Sequence, residues 1–355
     1  MNFIDNIEIK NFKSIRHQKI EGCKRINVFI GYPNVGKSNI LEALSLGSYL
    51  NDRSDYAALN TIARFDKFKD LFSIGDLKIP FEITFDAHLK LSFEYDNAAN
   101  LNFRVSESIN PDADFNQNIW NVHFSKSENT VAIKSWDYDN RNLKEDKPNF
   151  NFNLLKYEFL KNSFVSEQSA LHLSFPYGEN LFEVLRNNSD LRKDCGALLR
   201  EYNLKFLFES NNELKITRQI DEDTFFSIPF FQIADTLQRL FFYKTAIFTN
   251  KDAVILLEEP ESHMFPPYIS KFINDIIFDE NKNQYFIATH SPFVLNDLMD
   301  NLKADELAIY IVSYKKETGE TQVHHMSEVD MHEAYQFGYD FFMNIDKFIP
   351  QKQHG

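Results

Sequence analysis

The sequence predicts an α/β fold in which a mixed central sheet carries an antiparallel β subdomain and a helical insertion. Three observations point there. A mostly apolar run, Ile26–Ile30, passes through a glycine-containing turn into a segment with helical spacing. Two short continuous apolar runs, Ala253–Leu257 and Tyr285–Ala288, flank a helical pattern over Tyr268–Phe278, as expected of strands buried on both faces and joined by a crossover helix. Between these halves, Ile79, Phe81, Ile83 and Phe85, and then Leu89, Leu91, Phe93 and Tyr95, alternate strictly, which is the period of antiparallel strands with one wet face.

In chain order, residues 3–12 and 25–31 read as strands separated by the polar stretch Lys19–Lys24. A helix follows from Lys37, with Ile40, Leu41 and Leu44 on one face, and ends near Gly47 and Ser48. Residues 106–150, rich in Asn, Asp and Ser and interrupted by Trp120 and Trp136, read as long loops around one or two strands. Helices are expected over 153–164 and 180–203, a second β segment over 214–230, and another helix over 233–248. The tail predicts a hairpin, Leu307–Val312 with Val323–Met326 about Thr318–Gly319, and then an amphipathic helix near 329–343. There is no internal repeat and no sustained heptad pattern, so no long coiled-coil arm is expected. The predicted organisation is a core split between 1–50 and 230–355, with 51–229 as a β-rich and helical lobe.

Composition narrows the function classes. With 355 residues and 43% hydrophobic content the chain can bury a sizeable core, and its 36 Phe and 15 Tyr are mainly core filling. A net charge of −14 repels phosphate backbones, so indiscriminate nucleic-acid binding is disfavoured and any such contact would need a local basic patch. Cys23 and Cys195 are too few for a disulfide framework, and the first residues lack the uninterrupted apolar core of a signal peptide. No apolar run approaches the roughly 18 residues of a membrane span. A cytoplasmic protein without membrane contact is expected.

The turn after Ile30 reads Gly-Tyr-Pro-Asn-Val-Gly-Lys-Ser, the pattern G-x-x-x-x-G-K-[ST] in its required context of strand before and helix after. Gly31 and Gly36 let the backbone wrap a phosphate chain with its N–H groups inward, and the following helix adds its positive end. Lys37 would reach the β and γ phosphates and the Ser38 hydroxyl would ligate Mg²⁺, with Asn34, Val35 and Asn39 completing the nucleotide-contacting stretch. Two carboxylates, Glu258 and Glu259, end a buried strand, where solvated surface is a poor explanation and a nearby cation a better one. The natural division gives Glu258 the Mg²⁺ shell and makes Glu259 the base that deprotonates a water attacking the γ-phosphate. His290 follows the next buried strand, at the carboxyl end where an open α/β sheet keeps its ligand site, and could sense the γ-phosphate.

Four stretches, IKNFKSI (9–15), GYPNVGKSNILEAL (31–44), LLEEPESHMFPP (256–267) and ATHSPFVL (288–295), together resemble the ABC-type ATPases of the SMC, RecF and OLD group, and within it the short stand-alone bacterial members often found in phage defence. The resemblance covers about residues 1–48 and 230–300. It implies an ATP- and Mg²⁺-dependent ATPase head, a homodimer or higher homo-oligomer that sandwiches ATP, and a slow hydrolytic switch. On this resemblance Gly31, Gly36, Lys37 and Ser38 match the phosphate loop, Glu258 and Glu259 the metal and catalytic acids, His290 the switch histidine, and Lys13 a basic residue that approaches the phosphates. Two positions depart from the group: Ala234, Asp235 and Thr236 stand where a Ser- and Gly-rich signature helix usually begins, and Glu258 stands where the metal acid is usually Asp. No glutamine of the metal-contacting loop can be placed.

Three functions are carried forward. The resemblance suggests a switch that controls a separate effector, a nuclease or toxin; the 55 residues after Asp300 hold no D-x-D pair of the kind a TOPRIM nuclease domain needs, and Asp112-Ala113-Asp114, which fits the pattern, lies in the polar middle of the chain. Ala234 and Glu258 motivate a nucleotide-dependent scaffold with little turnover. The basic run Lys10, Lys13, Arg16, Lys19, Lys24 and Arg25 motivates a RecF-like DNA repair factor.

Overall fold

The computed structural model describes residues 3–50, 59–95, 101–107, 117–127, 130–137, 153–164, 171–209, 213–336 and 341–349. Its centre is a six-stranded sheet in the order β16-β15-β3-β14-β13-β9. Here β3 is Ile26–Ile30, β9 Asn153–Tyr157, β13 Ala253–Glu258, β14 Gln284–Ala288, β15 Leu307–Lys315 and β16 Glu320–His325. All neighbours are parallel except the edge pair β15–β16. Every residue of β3 and β14 is buried, as a parallel sheet covered on both faces requires.

Alternate side chains of these strands feed two cores. Ile26, Val28, Ile255, Leu257 and Ile287 enter one, beneath α3 (Leu181–Asn187), α4 (Ser189–Arg200), α5 (Asp235–Thr249), α6 (Pro266–Ile277) and α7 (Pro292–Asn301). Phe29, Val254, Leu256, Phe286 and Ala288 enter the other, beneath α1 (Lys37–Ser45), the short α2 (Leu59–Ile62) and a second sheet.

That second sheet is antiparallel and seven-stranded, in the order β2-β1-β4-β5-β6-β7-β8. It consists of β1 Asn6–Phe12, β2 Ile15–Glu21, β4 Phe81–Phe85, β5 Leu89–Tyr95, β6 Leu101–Glu107, β7 Gln117–Ser127 and β8 Thr130–Asp137. Its register sets Phe81 opposite Phe93 and Phe93 opposite Phe103, and the rings stack with centroids 4.4 and 4.5 Å apart. A small antiparallel sheet of β10 (Leu204–Phe208), β11 (Leu214–Gln219) and β12 (Phe225–Pro229) lies in the second half, and α8 (Glu328–Gln336) follows β16.

The structure corrects two expected elements. Residues 153–157 are not the start of a helix but strand β9, which pairs parallel with β13 on the outer edge of the central sheet. A short apolar run cannot be assigned by period alone, and here Leu154 faces one core while Leu155 and Tyr157 face the other. A further strand, β2, stands between the first two expected ones and runs into the polar stretch Lys19–Lys24 as far as Glu21; its outward face is polar because it is a sheet edge, and only Ile15 and Ile20 of it are buried. The tail hairpin forms as expected, and the final helix begins at Glu328. Asp112-Ala113-Asp114 lies outside the described residues.

Candidate active site

The site begins with strand register. Phe29 of β3 lies beside Ala288 of β14, and Ala288 beside Glu258 of β13, so all three strands end level. The chain beyond each is tied to its neighbour: Thr289 N–H donates to Phe29 O (3.1 Å) and Glu259 N–H to Ala288 O (2.8 Å). The loop after β3, the acids after β13 and the histidine after β14 therefore leave the sheet at one edge.

The loop turns on two left-handed residues, Asn34 (φ 62°) and Gly36 (φ 104°), and Gly36 caps α1. A Cβ on Gly31 would stand 2.2 Å from Val312 O, and one on Gly36 2.1 Å from Thr321 Oγ1, so β15 and β16 press against the loop where only glycine fits. Val35 is buried and anchors the turn, whereas Asn34 is exposed at its tip. Lys37 bends back to donate to Gly31 O and Tyr32 O, each 2.9 Å away. Burial pulls its pKa down, Glu259 and Glu258 partly offset that, and the result is about 8.

At the acid end, the Ser38 hydroxyl is hydrogen-bonded to Glu258. Glu258 also meets Arg64 (3.1 Å) at Oε1 and the buried Lys156 of β9 (3.4 Å) at Oε2. Burial would raise its pKa, but Lys156, Ser38 and Arg64 outweigh burial and hold the carboxyl below the usual range. Glu259 takes a left-handed φ of 42°, costly for any residue with a Cβ and frequent at functional sites, and its Oε1 stands 3.5 Å from His290 Nε2. Burial first and then the charge of Lys37 lower the pKa of His290, against Glu259. The buried Glu261 accepts from Thr289 Oγ1, which in turn accepts from Ser291 N–H (2.9 Å), bracketing His290 between fixed neighbours.

Lys37, Ser38, Glu258, Glu259 and His290 thus form one cluster. Lys13 and Asn39 are held by other groups: Lys13 Nζ pairs with the fully buried Glu42 of α1 and donates to Arg64 O (2.7 Å), and Asn39 Nδ2 donates to Ser14 Oγ (2.7 Å). Sequence reasoning missed Glu42, Arg64 and Lys156, which continue the charge network outward from Glu258. Lys156 carried a usable signal, a lysine inside an otherwise apolar run, had the run been read as a strand. At the start of α5, Asp235 pairs with Lys161 (2.8 Å) and Thr236 Oγ1 donates to His263 O (3.1 Å). A cavity of about 520 Å³ beside that helix end, lined by Ile216, Phe226, Ile228, Leu237 and Phe265 with Arg218, involves none of the clustered residues.

The donor set suits a hard cation held jointly with phosphate oxygens: a hydroxyl and a carboxylate side by side, and no cage of three or more His, Cys, Asp or Glu among the described residues. A cation at Glu258 would share the carboxylate with Arg64 and Lys156.

Phosphate loop, strand-end acids and strand-end histidine on a mixed sheet, with an antiparallel sheet against it, define an ABC-type ATPase head of the SMC and RecF group. More specifically, the chain belongs to the family described as "AAA domain, putative AbiEii toxin, Type IV TA system", whose model matches residues 26–296. It is 26% identical over 343 residues to an ATP/GTP phosphatase of Helicobacter pylori, covering 86% of this chain and 90% of that protein. Over 44 residues, 12% of either chain, it is 41% identical to the DNA replication and repair protein RecF of a Thermoanaerobacter species. Among solved structures it is similar to an SMC head bound to the C-winged helix domain of ScpA, with a TM-score of 0.52 and 13% identity over 92% of this chain and 99% of that one, a likeness of fold. No helix among the described residues is long and apolar enough to cross a membrane.

Proposed function

We propose that this chain binds ATP in the Gly31–Ser38 loop and hydrolyses it slowly by in-line attack of water. The observation that carries the reading is the level ending of β3, β14 and β13, which gathers Lys37, Glu258, Glu259 and His290 around one space. Lys37, released from Gly31 O and Tyr32 O, takes the β and γ phosphates. Glu259, half-exposed and 3.5 Å from His290, orients and deprotonates the attacking water, while His290 reports the state of the γ-phosphate. Ser38 and Glu258 would hold Mg²⁺, which would supply neutralisation of phosphate charge. Phosphate release by the wild type and by Glu259→Gln tests the reading; equal and negligible rates would overturn turnover.

We propose further that two copies close on ATP and that closure controls a separate effector protein, a nuclease or toxin in phage defence, in the cytoplasm. The family description names a toxin and a type IV TA system, and the similar SMC head is bound to a domain of a second protein, which supports a partnered mode of action. In this proposal 1–50 and 230–355 form the nucleotide-binding core and 51–229 the lobe, with β9 returning from the lobe into the core sheet. A scaffold with little turnover is favoured by one observation, the two cations already on Glu258. A DNA repair role is disfavoured: Lys10 and Lys19 face Glu8, and Lys13, Arg16, Lys24 and Arg25 face Glu42, Glu320, Glu328 and Glu306. Carboxylates thus already neutralise the basic run.

A further inference from the structure

Behind the phosphate loop lies a line of uncharged groups with a forced direction. Thr321 Oγ1 of β16 donates to Val35 O (2.9 Å). A hydroxyl has one hydrogen, so the 2.6 Å contact between Ser14 Oγ and Thr321 Oγ1 must have Ser14 as donor. Ser14 Oγ in turn accepts from Asn39 Nδ2 (2.7 Å). The chain of donation runs Asn39 to Ser14 to Thr321 to the Val35 carbonyl, each bond polarising the next. Thr321 is only 1% exposed and its own N–H donates to Ser14 O (2.9 Å), so the line is fixed to the backbone at the turn between β1 and β2.

The last acceptor gives the line its consequence. The Val35–Gly36 peptide is trans, so its C=O and the Gly36 N–H point in opposite directions. Holding the Val35 carbonyl outward against Thr321 therefore aims the Gly36 N–H away from β16, to the side on which a loop of this shape collects phosphate oxygens. Gly36 lacks a side chain for the same reason: Thr321 Oγ1 and Ser14 Oγ would lie 2.1 and 2.9 Å from its Cβ. Ser14 and Thr321 both lie outside residues 26–296, the part matched by the family model.

We propose that Thr321 is a positioning residue for nucleotide binding, setting the orientation of the Val35–Gly36 peptide through its hydroxyl, with Ser14 and Asn39 fixing the direction of that hydroxyl. The inference rests on the ATP-site reading given above. Two measurements separate the two. Hydrogen exchange of the nucleotide-free protein reads the loop without any ligand: Thr321→Val, which keeps shape and loses the hydroxyl, should speed exchange of the amides of Tyr32, Asn34, Val35 and Gly36 by roughly fivefold or more while β14 amides stay unchanged. Titration with ATP reads the consequence: Thr321→Val should weaken binding and raise KM by about tenfold, with kcat within about twofold, and Thr321→Ser should restore both. Ser14→Ala, which removes the donor to Thr321, should give the same pattern at smaller size and serves if Thr321→Val does not fold. Loop exchange and ATP affinity unchanged in Thr321→Val and Ser14→Ala would overturn the proposal, as would Thr321→Ser as weak as Thr321→Val, which would assign the effect to the methyl group. Faster loop exchange in a protein whose wild type binds no ATP would uphold the clamp and sink the nucleotide reading instead.

Discussion

The two sides of the site are built from different materials. The loop side, Gly31 to Ser38, is shaped by backbone, glycine and neutral hydroxyls, and its one charge, Lys37, rests on two carbonyl oxygens. The acid side is a network of charges, in which Glu258 is held by Arg64 and Lys156, and Arg64 and Lys13 converge on the fully buried Glu42. On the loop side only the Lys37 ammonium has to leave its two carbonyls to receive an anion, whereas on the acid side a further cation at Glu258 would compete with the two already there. If the proposed function holds, the loop backbone is the part set for nucleotide, and the acid side is where turnover would need rearrangement.

That contrast can be tested at graded strength. The largest effect is expected at Glu259→Gln: phosphate release falls by roughly a hundredfold or more while ATP binding stays intact, because a positioned base is lost and no loop contact changes. Size-exclusion measurements with ATP should then show a longer-lived dimer, and a variant that stays monomeric would remove the sandwich from the proposal. Lys37→Ala should weaken ATP affinity by roughly a hundredfold, as loss of a buried cation at phosphate does, and unchanged affinity in calorimetry would end the loop assignment.

On the acid side, Lys156→Met should destabilise the fold by about 2 kcal/mol at neutral pH, since it removes the buried one of the two cations on Glu258 and leaves only the exposed Arg64. Glu258 has a lowered pKa, so its stabilisation is complete above its ordinary value of 4.5 and is lost as pH falls through the folded value. The gap between wild type and Lys156→Met in thermal melts should accordingly shrink in acid; a gap independent of pH would assign it to packing. Lys37 supplies the opposite sign. Its free-state pKa is about 8 and phosphate favours the charged form, so ATP affinity should hold below pH 8 and fall by about tenfold per unit above it. The smallest effect belongs to Arg64→Ala, whose exposed side chain should contribute less than about 1 kcal/mol to stability. A melt that fell further would mean that the outer half of the network matters as much as the inner.

How much of this was legible in the sequence followed the same divide. The loop could be read because its residues are consecutive and its chemistry is fixed by spacing, and Glu258, Glu259 and His290 because each ends an unmistakable buried strand. Lys156 and Arg64 could not, because a basic side chain declares its partner only once strands are in register, and β9 is too short for its period to separate strand from helix. Ser14 and Thr321 are still less visible: they are 307 positions apart and meet only because the edge strand β16 returns to the turn after β1.

The position of β9 has one more consequence. It is contributed from the middle of the chain, yet it closes the open flank of β13 and inserts Leu154 and Leu155 into opposite cores. A shortened protein made by splicing residue 50 to residue 230 would bare the hydrogen-bonding rim of the strand that ends at Glu258, and with it an apolar ribbon open to pairing with any extended chain. Trimming this molecule to residues 1–50 and 230–355 would yield a sticky fragment; a workable minimal version has to keep 153–157.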